Sequence, residues 1–128
     1  MKLLVDTCTF LWIASESPRL SKIAAEAFLD LNHERFLSTA SAWEIGIKYA
    51  AKRLPLPERP AIFVPKLREA SGISSLEIDE ESALLAGRLP ALHSDPFDRM
   101  LIAQAIVHGM TILSPDPEIL QYAVRVLW

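Results

Sequence analysis

One cysteine in 128 residues, Cys8, leaves no partner for an internal disulfide and no means of building a zinc site from cysteine pairs. The three histidines, His33, His93 and His108, are far apart and lack metal-ligand spacing. Such low cysteine use fits a reducing compartment. Long apolar runs are also missing. The stretch from Met100 to Pro115 is free of acids, lysine and arginine, but Gln104, His108 and Gly109 interrupt it, and a span needs about 20 mostly apolar residues. Leu3-Leu4-Val5 is cut short at Asp6, where a signal peptide needs roughly 7–15 apolar residues. The expected location is the cytoplasm, without membrane contact. Excess positive charge is lacking too: the net charge is −3, a weak argument against nucleic-acid binding. Only 4 glycines, with 51% apolar and 23% charged residues, exclude collagen-like and disordered chains. A single domain over 1–128 is expected, burying roughly two thirds of its unfolded surface.

What is present alternates short apolar runs with helical patterns. Leu3–Val5, Arg35–Ser38, Ile73–Leu76, Thr111–Leu113 and Val124–Val126 read as strands. Helices are expected over Thr7–Ala14, from Ser21 through Leu31, and along a stripe of Trp43, Ile47, Ala50 and Leu54 ended by Pro55. Others are expected over Pro60–Ala70 with a kink or break at Pro65, from the Asp79 cap to Arg88, and over Pro96–Val107, closed by His108-Gly109. Asp116-Pro117 opens a short one. Strands alternating with helices predict an α/β fold, and solid apolar strands predict a mostly parallel sheet covered on both faces.

Asp6, Glu44, Asp98 and Asp116, with Asp95 beside Asp98, fall at or just after expected strand ends, near helix starts. Strand carboxyl ends share one edge in a parallel sheet, so these acids are expected to converge there. Helix capping is the competing explanation. Asp95-Pro96 with Asp98, Ser41-Ala42-Trp43-Glu44 and Asp116-Pro117 all fit caps or capping boxes; Asp6 does not. Taken as a set, several carboxylates in one crevice repel one another, and a divalent cation removes that cost. Oxygen donors suit a hard ion such as Mg²⁺ or Mn²⁺, and such an ion supports phosphoryl transfer. Setting the five acids aside changes the net charge from −3 to +2. Lys48, Lys52, Arg53, Arg59, Lys66 and Arg68 cluster against only Glu58 and Glu69, which suits either a phosphate backbone or an ordinary solvated helix face. The acidic run Glu77, Asp79, Glu80 and Glu81 reads as capping and solubility charge.

Four strings carry a family resemblance: Leu3-Leu4-Val5-Asp6-Thr7, Ser38-Thr39-Ala40-Ser41-Ala42-Trp43-Glu44-Ile45, the run from His93 to Ala105, and Ile112-Leu113-Ser114-Pro115-Asp116. In that order the chain resembles PIN-domain ribonucleases, specifically VapC-type toxins of toxin–antitoxin pairs. The resemblance implies a three-layer α/β/α sandwich with a mostly parallel four- to five-stranded sheet. It implies catalysis by Asp6, Glu44, Asp98 and Asp116, with one or two Mg²⁺ or Mn²⁺ ions. Asp6 and Asp98 are expected as direct ligands, Glu44 and Asp116 as holders of a second ion or of the attacking water, and Asp95 as a further ligand of lower rank. The implied activity is endonucleolytic hydrolysis of RNA to 5′-phosphate and 3′-hydroxyl ends. The implied partners are RNA, a small VapB-like antitoxin and a second copy of the chain.

Other side chains carry plainer expectations. Thr7 and Ser114 are read as capping hydroxyls, Trp43 and Phe97 as core, and Cys8 as a small buried apolar group. Arg99 is read as one half of an ion pair, His93 as structural, and Trp12 as part of a dimer or antitoxin surface. The competing functions are a non-catalytic binding module, a housekeeping nuclease acting on other RNA or DNA, and a haloacid dehalogenase-type phosphatase. The last lacks its second aspartate, since Cys8 stands there.

Overall fold

A computed structural model describes residues 1–128. Five strands, β1 (Lys2–Val5), β2 (Glu34–Ser38), β3 (Ser74–Leu76), β4 (Thr111–Leu113) and β5 (Arg125–Leu127), form one sheet in the order β3-β2-β1-β4-β5. Every neighbouring pair is parallel. Six helices flank it: α1 (Thr7–Ser15), α2 (Lys22–Leu29), α3 (Thr39–Ala50), α4 (Pro60–Ala70), α5 (Glu80–Arg88) and α6 (Pro96–His108), with a single 3-10 turn at Ile119–Gln121. The expected fold class and all five strands are present.

The alternation of strand side chains divides the core in two. Val5, Leu37 and Leu113 stand in register and join Phe10, Phe28, Ile45 and Phe63 on one face. Their neighbours Leu4 and Ile112, also in register, join Leu101, Ile102, Ile119 and Tyr122 on the other. Each such fully buried side chain adds about 1.5–3 kcal/mol. A sheet buried on both faces between helices is the three-layer arrangement.

Several local expectations need correction. Helix α3 ends at Ala50, not Leu54, because Lys52 takes a left-handed conformation (φ 57°) and turns the chain. The Arg53 amide then bonds the Lys48 carbonyl at 2.9 Å, a helix stop that usually employs glycine. Its buried face is Ala40, Ser41, Glu44 and Ile45, whereas Trp43 is 65% exposed and Ile47 also faces outward. Trp43 is therefore not core; it meets the partly buried Phe97 edge-on at 5.4 Å. Helix α4 runs through Pro65 unbroken. Asp98 follows no strand: it lies in the first turn of α6, after the loop that leaves α5. No helix is long and apolar enough to cross a membrane.

Candidate active site

Parallel pairing puts the carboxyl ends of β2, β1 and β4 side by side, and the chain order reverses between β1 and β4, where a crevice opens. Asp6 follows β1, Glu44 lies in the second turn of α3 behind β2, and Asp116 follows β4. With Asp95 and Asp98 at the start of α6, all five acids line one cleft of about 390 Å³. Cys8, Lys48 and Arg53 share the same walls.

Asp6 is only 4% exposed. Contrary to the sequence reading, it caps a helix: Oδ1 accepts from the Thr9 amide at 2.8 Å. Burial raises its pKa, against hydrogen bonds from Ser114, Thr9 and Cys8. The Cys8 thiol lies 3.3 Å from Asp6 Oδ1; burial and this carboxylate push it up to about 12, so it stays protonated. Cys8 is a partly buried cleft residue, not a core one.

Glu44 is not in a capping box. Ser38 caps α3, accepting from the Ala40 amide at 3.0 Å, so Glu44 is free for other contacts. The Thr7 hydroxyl donates to its Oε1 at 2.7 Å and sits 2.9 Å from Ser41 Oγ. Thr7 therefore bridges α1 to α3 and caps nothing. The other oxygen, Oε2, accepts from Lys48 Nζ at 2.6 Å.

Asp95 caps α6 as expected, accepting from Phe97 and Asp98 amides at 2.8 and 3.2 Å. Asp98 does not complete a box with it. Its Oδ2 meets His93 Nε2 at 2.8 Å, so His93 belongs to the site. Desolvation pushes Asp98 up to about 6, with Asp95 and Asp116 adding to the rise; the bond to Asp98 raises His93. Asp116 Oδ1 accepts from the Glu118 amide at 2.9 Å, and the Ser114 hydroxyl accepts from the Asp116 amide at 3.1 Å.

Arg99 forms no ion pair. Its guanidinium bonds the carbonyls of Ala86, Leu89, Pro90 and His93 at 2.8–3.2 Å and lies 3.3 Å from the Tyr122 hydroxyl. It satisfies open carbonyls at and just beyond the end of α5. Trp12 is half-buried, 5.7 Å from Trp128 with Arg19 over its ring.

The donor chemistry fits a divalent cation. One ligand atom each from His93, Asp98 and Asp116 lie within 4.8 Å of one another. Asp6 and Glu44 face the same cleft outside that tight group. Two carboxylates are held above their ordinary range, Asp6 by burial and Asp98 by burial with the charges of Asp95 and Asp116, and a bound cation relieves that condition.

The model of the PIN domain family matches residues 3–125. A 50-residue stretch is 44% identical to Ribonuclease VapC16 of Mycobacterium tuberculosis, spanning 39% of this chain and only 36% of that protein's length. Among solved structures, VapBC2 from Rickettsia felis bound to a promoter DNA fragment superposes with a TM-score of 0.74 at 13% identity, over 98% of this chain and 97% of that one. VapBC-1 from nontypeable Haemophilus influenzae gives 0.68 at 15% identity, over 98% and 96%. FitAcB from Neisseria gonorrhoeae gives 0.60 at 18%, over 97% and 95%. At these identities the three structures are alike in fold.

Proposed function

The chain belongs to the PIN-domain family, and from that premise we propose that it is a divalent-cation-dependent endoribonuclease, the toxin of a VapBC-type toxin–antitoxin pair. The observation that carries this reading is the convergence of Asp6, Glu44, Asp95, Asp98 and Asp116 on one cleft, with Asp6 and Asp98 held above the usual carboxylate range. A binding module has no use for buried carboxylates that destabilise its own fold; a site awaiting a cation does.

Asp6, Asp98 and Asp116, with Asp95 nearby, are the residues to hold Mg²⁺ or Mn²⁺. When bound, such an ion lowers the pKa of an attacking water and offsets charge building on the phosphate. The chain's own groups supply the rest. His93 fixes one oxygen of Asp98, leaving the other free. Arg53 and Lys48 bring positive charge to the cleft wall, where an RNA phosphate would lie. Asp116, which lines the cleft, orients the water. The water gives up a proton as its oxygen bonds to phosphorus, the bond from phosphorus to the 3′ oxygen breaks, and that oxygen takes up a proton from solvent. The ends are a 5′-phosphate and a 3′-hydroxyl.

The proposed partners are a small cognate antitoxin and a second copy of the chain. The resemblance to VapC-type toxins supports both. An apolar groove of about 410 Å³, walled by Trp12, Pro55, Leu56 and Phe63, shares Leu11 and Leu54 with the acidic cleft. A partner seated there would reach the site. The experiment is RNA cleavage by the isolated chain with Mg²⁺ or Mn²⁺, with EDTA, and by Asp6→Asn. Loss in both EDTA and the variant is expected; cleavage that survives Asp6→Asn overturns the site, and no cleavage in antitoxin-free protein overturns the activity.

A further inference from the structure

The cleft has two unequal halves, and the difference bears on how many ions it takes; the argument rests on the nuclease reading above. On one side, His93, Asp98 and Asp116 bring ligand atoms within 4.8 Å of one another. On the other, Glu44 already has a partner on each oxygen, the Thr7 hydroxyl at 2.7 Å and the Lys48 ammonium at 2.6 Å. Glu–Lys pairs one turn apart are common on exposed helix faces and contribute little there. This pair differs, because the Glu44 residue is only 6% exposed while Lys48 is partly open to the cleft beside Arg53. For this buried carboxylate the chain provides a cation from within the same helix. Two-ion sites need carboxylates with oxygens to spare for metal. Each Glu44 oxygen is already held by a donor of the protein, one of them a full positive charge.

We propose that Lys48 stands in for a second metal ion: the site takes one divalent cation, on the Asp98–Asp116 side, and the Lys48 ammonium supplies the other positive charge to the RNA phosphate. Lys48 is then a catalytic residue, and Glu44, with Thr7 behind it, a positioning residue that aims it. The fixed ammonium reaches the phosphate without an ion to be captured, so activity should saturate with the filling of a single metal site.

The test counts ions. The chelator-stripped full chain is titrated with MnCl₂, free Mn²⁺ being read by electron paramagnetic resonance and heats by calorimetry. The expected count is one per chain. Glu44→Gln should keep that ion with affinity within about 3-fold, because Glu44 is not its ligand. Lys48→Met should bind a second, weaker ion at the unpaired Glu44 and lose about 100-fold or more in kcat; Lys48→Arg should hold the count at one. Two ions in the unaltered chain, the second lost in Glu44→Gln, overturn the proposal. So does a folded Lys48→Met chain that still counts one. Should Lys48→Met fail to fold, by circular dichroism, Glu44→Gln and Lys48→Arg decide. A chain that counts one ion and gives the expected ion counts in the variants, yet cleaves no RNA, overturns the nuclease reading and the catalytic role of Lys48 and leaves the single-ion assignment standing. Uptake of no Mn²⁺ overturns both.

Discussion

The Tyr122 hydroxyl holds His93 by its backbone: it accepts from the His93 amide at 2.9 Å and the Leu92 amide at 3.2 Å, and donates to the Pro90 carbonyl at 2.7 Å. Arg99 grips the same loop through the carbonyls of Leu89, Pro90 and His93, and α5 itself through that of Ala86. The loop between α5 and α6 is thus pinned from two sides, and His93 is delivered to Asp98 by groups that never touch the cleft.

Tyr122→Phe keeps the ring in the core and deletes four hydrogen bonds, the one from Arg99 included. A loss of about 1–3 kcal/mol in stability is expected, and the amides of Leu92 and His93 should lose most of their protection against hydrogen exchange. Unchanged protection at both would show that Arg99 alone holds the loop.

Asp6→Asn should separate stability from activity. Asparagine caps a helix as well as aspartate does, so the Thr9 bond survives, while the buried charge disappears. Without metal the variant should melt several degrees higher than the unaltered chain, corresponding to roughly 1–2 kcal/mol; with saturating Mn²⁺ the order should reverse. A lower melting temperature in EDTA would mean that Asp6 is satisfied by its own hydrogen bonds.

Arg53→Ala should weaken RNA binding with little effect on the chemical step. KM should rise about 10-fold with kcat nearly unchanged, and the slope of log affinity against log salt should fall by about 0.7–1. A kcat effect with constant KM would move Arg53 into the chemistry.

Asp79 gives the fold a pH dependence that is independent of the cleft. Its carboxylate accepts from Ser82 Oγ at 2.6 Å, the Ser82 amide at 3.2 Å and His108 Nε2 at 3.0 Å, tying the start of α5 to the end of α6. The Ser82 hydroxyl first, and His108 second, hold its pKa well below the usual value. The folded value lies below the unfolded one, so the contribution is full above the ordinary carboxylate range and is lost as pH falls below it. Melting followed from about pH 7 to about pH 2 should therefore drop less steeply in Asp79→Asn. Parallel profiles would show that the contact adds nothing.

The fold was legible because strand alternation and helix punctuation are written locally: Leu4 and Val5 facing opposite ways, Asp95-Pro96 opening α6, Gly109 closing it. The five acids were legible by position, near expected strand ends and helix starts, and by resemblance, since as residue types Asp and Glu are ordinary on a solvated surface; the fold brings them to one cleft. What escaped was decided by tertiary contact. Trp43 fits an apolar stripe, but the face of α3 that packs inward is the one carrying Ser41 and Glu44, so the large aromatic is left outside. Lys52 gives no sign of a left-handed turn, since that conformation normally announces itself with glycine. His93 and Arg99 could be noticed but not assigned, because their partners, Asp98 on one side and loop carbonyls on the other, depend on a path between helices that no periodicity encodes.

The all-parallel sheet also fixes when the site can exist. β1 lies between β2 and β4, and the Thr9 hydroxyl reaches the Leu113 carbonyl across 104 positions of sequence. During synthesis Asp6 emerges early and waits for Asp98 and Asp116, which arrive only after nearly all the intervening chain has been made. Until β4 slots in beside β1, the cleft has one wall and no opposing acids. A nascent chain therefore carries no assembled cleft until β4 has been made, and its carboxylates cannot act on anything together before that moment.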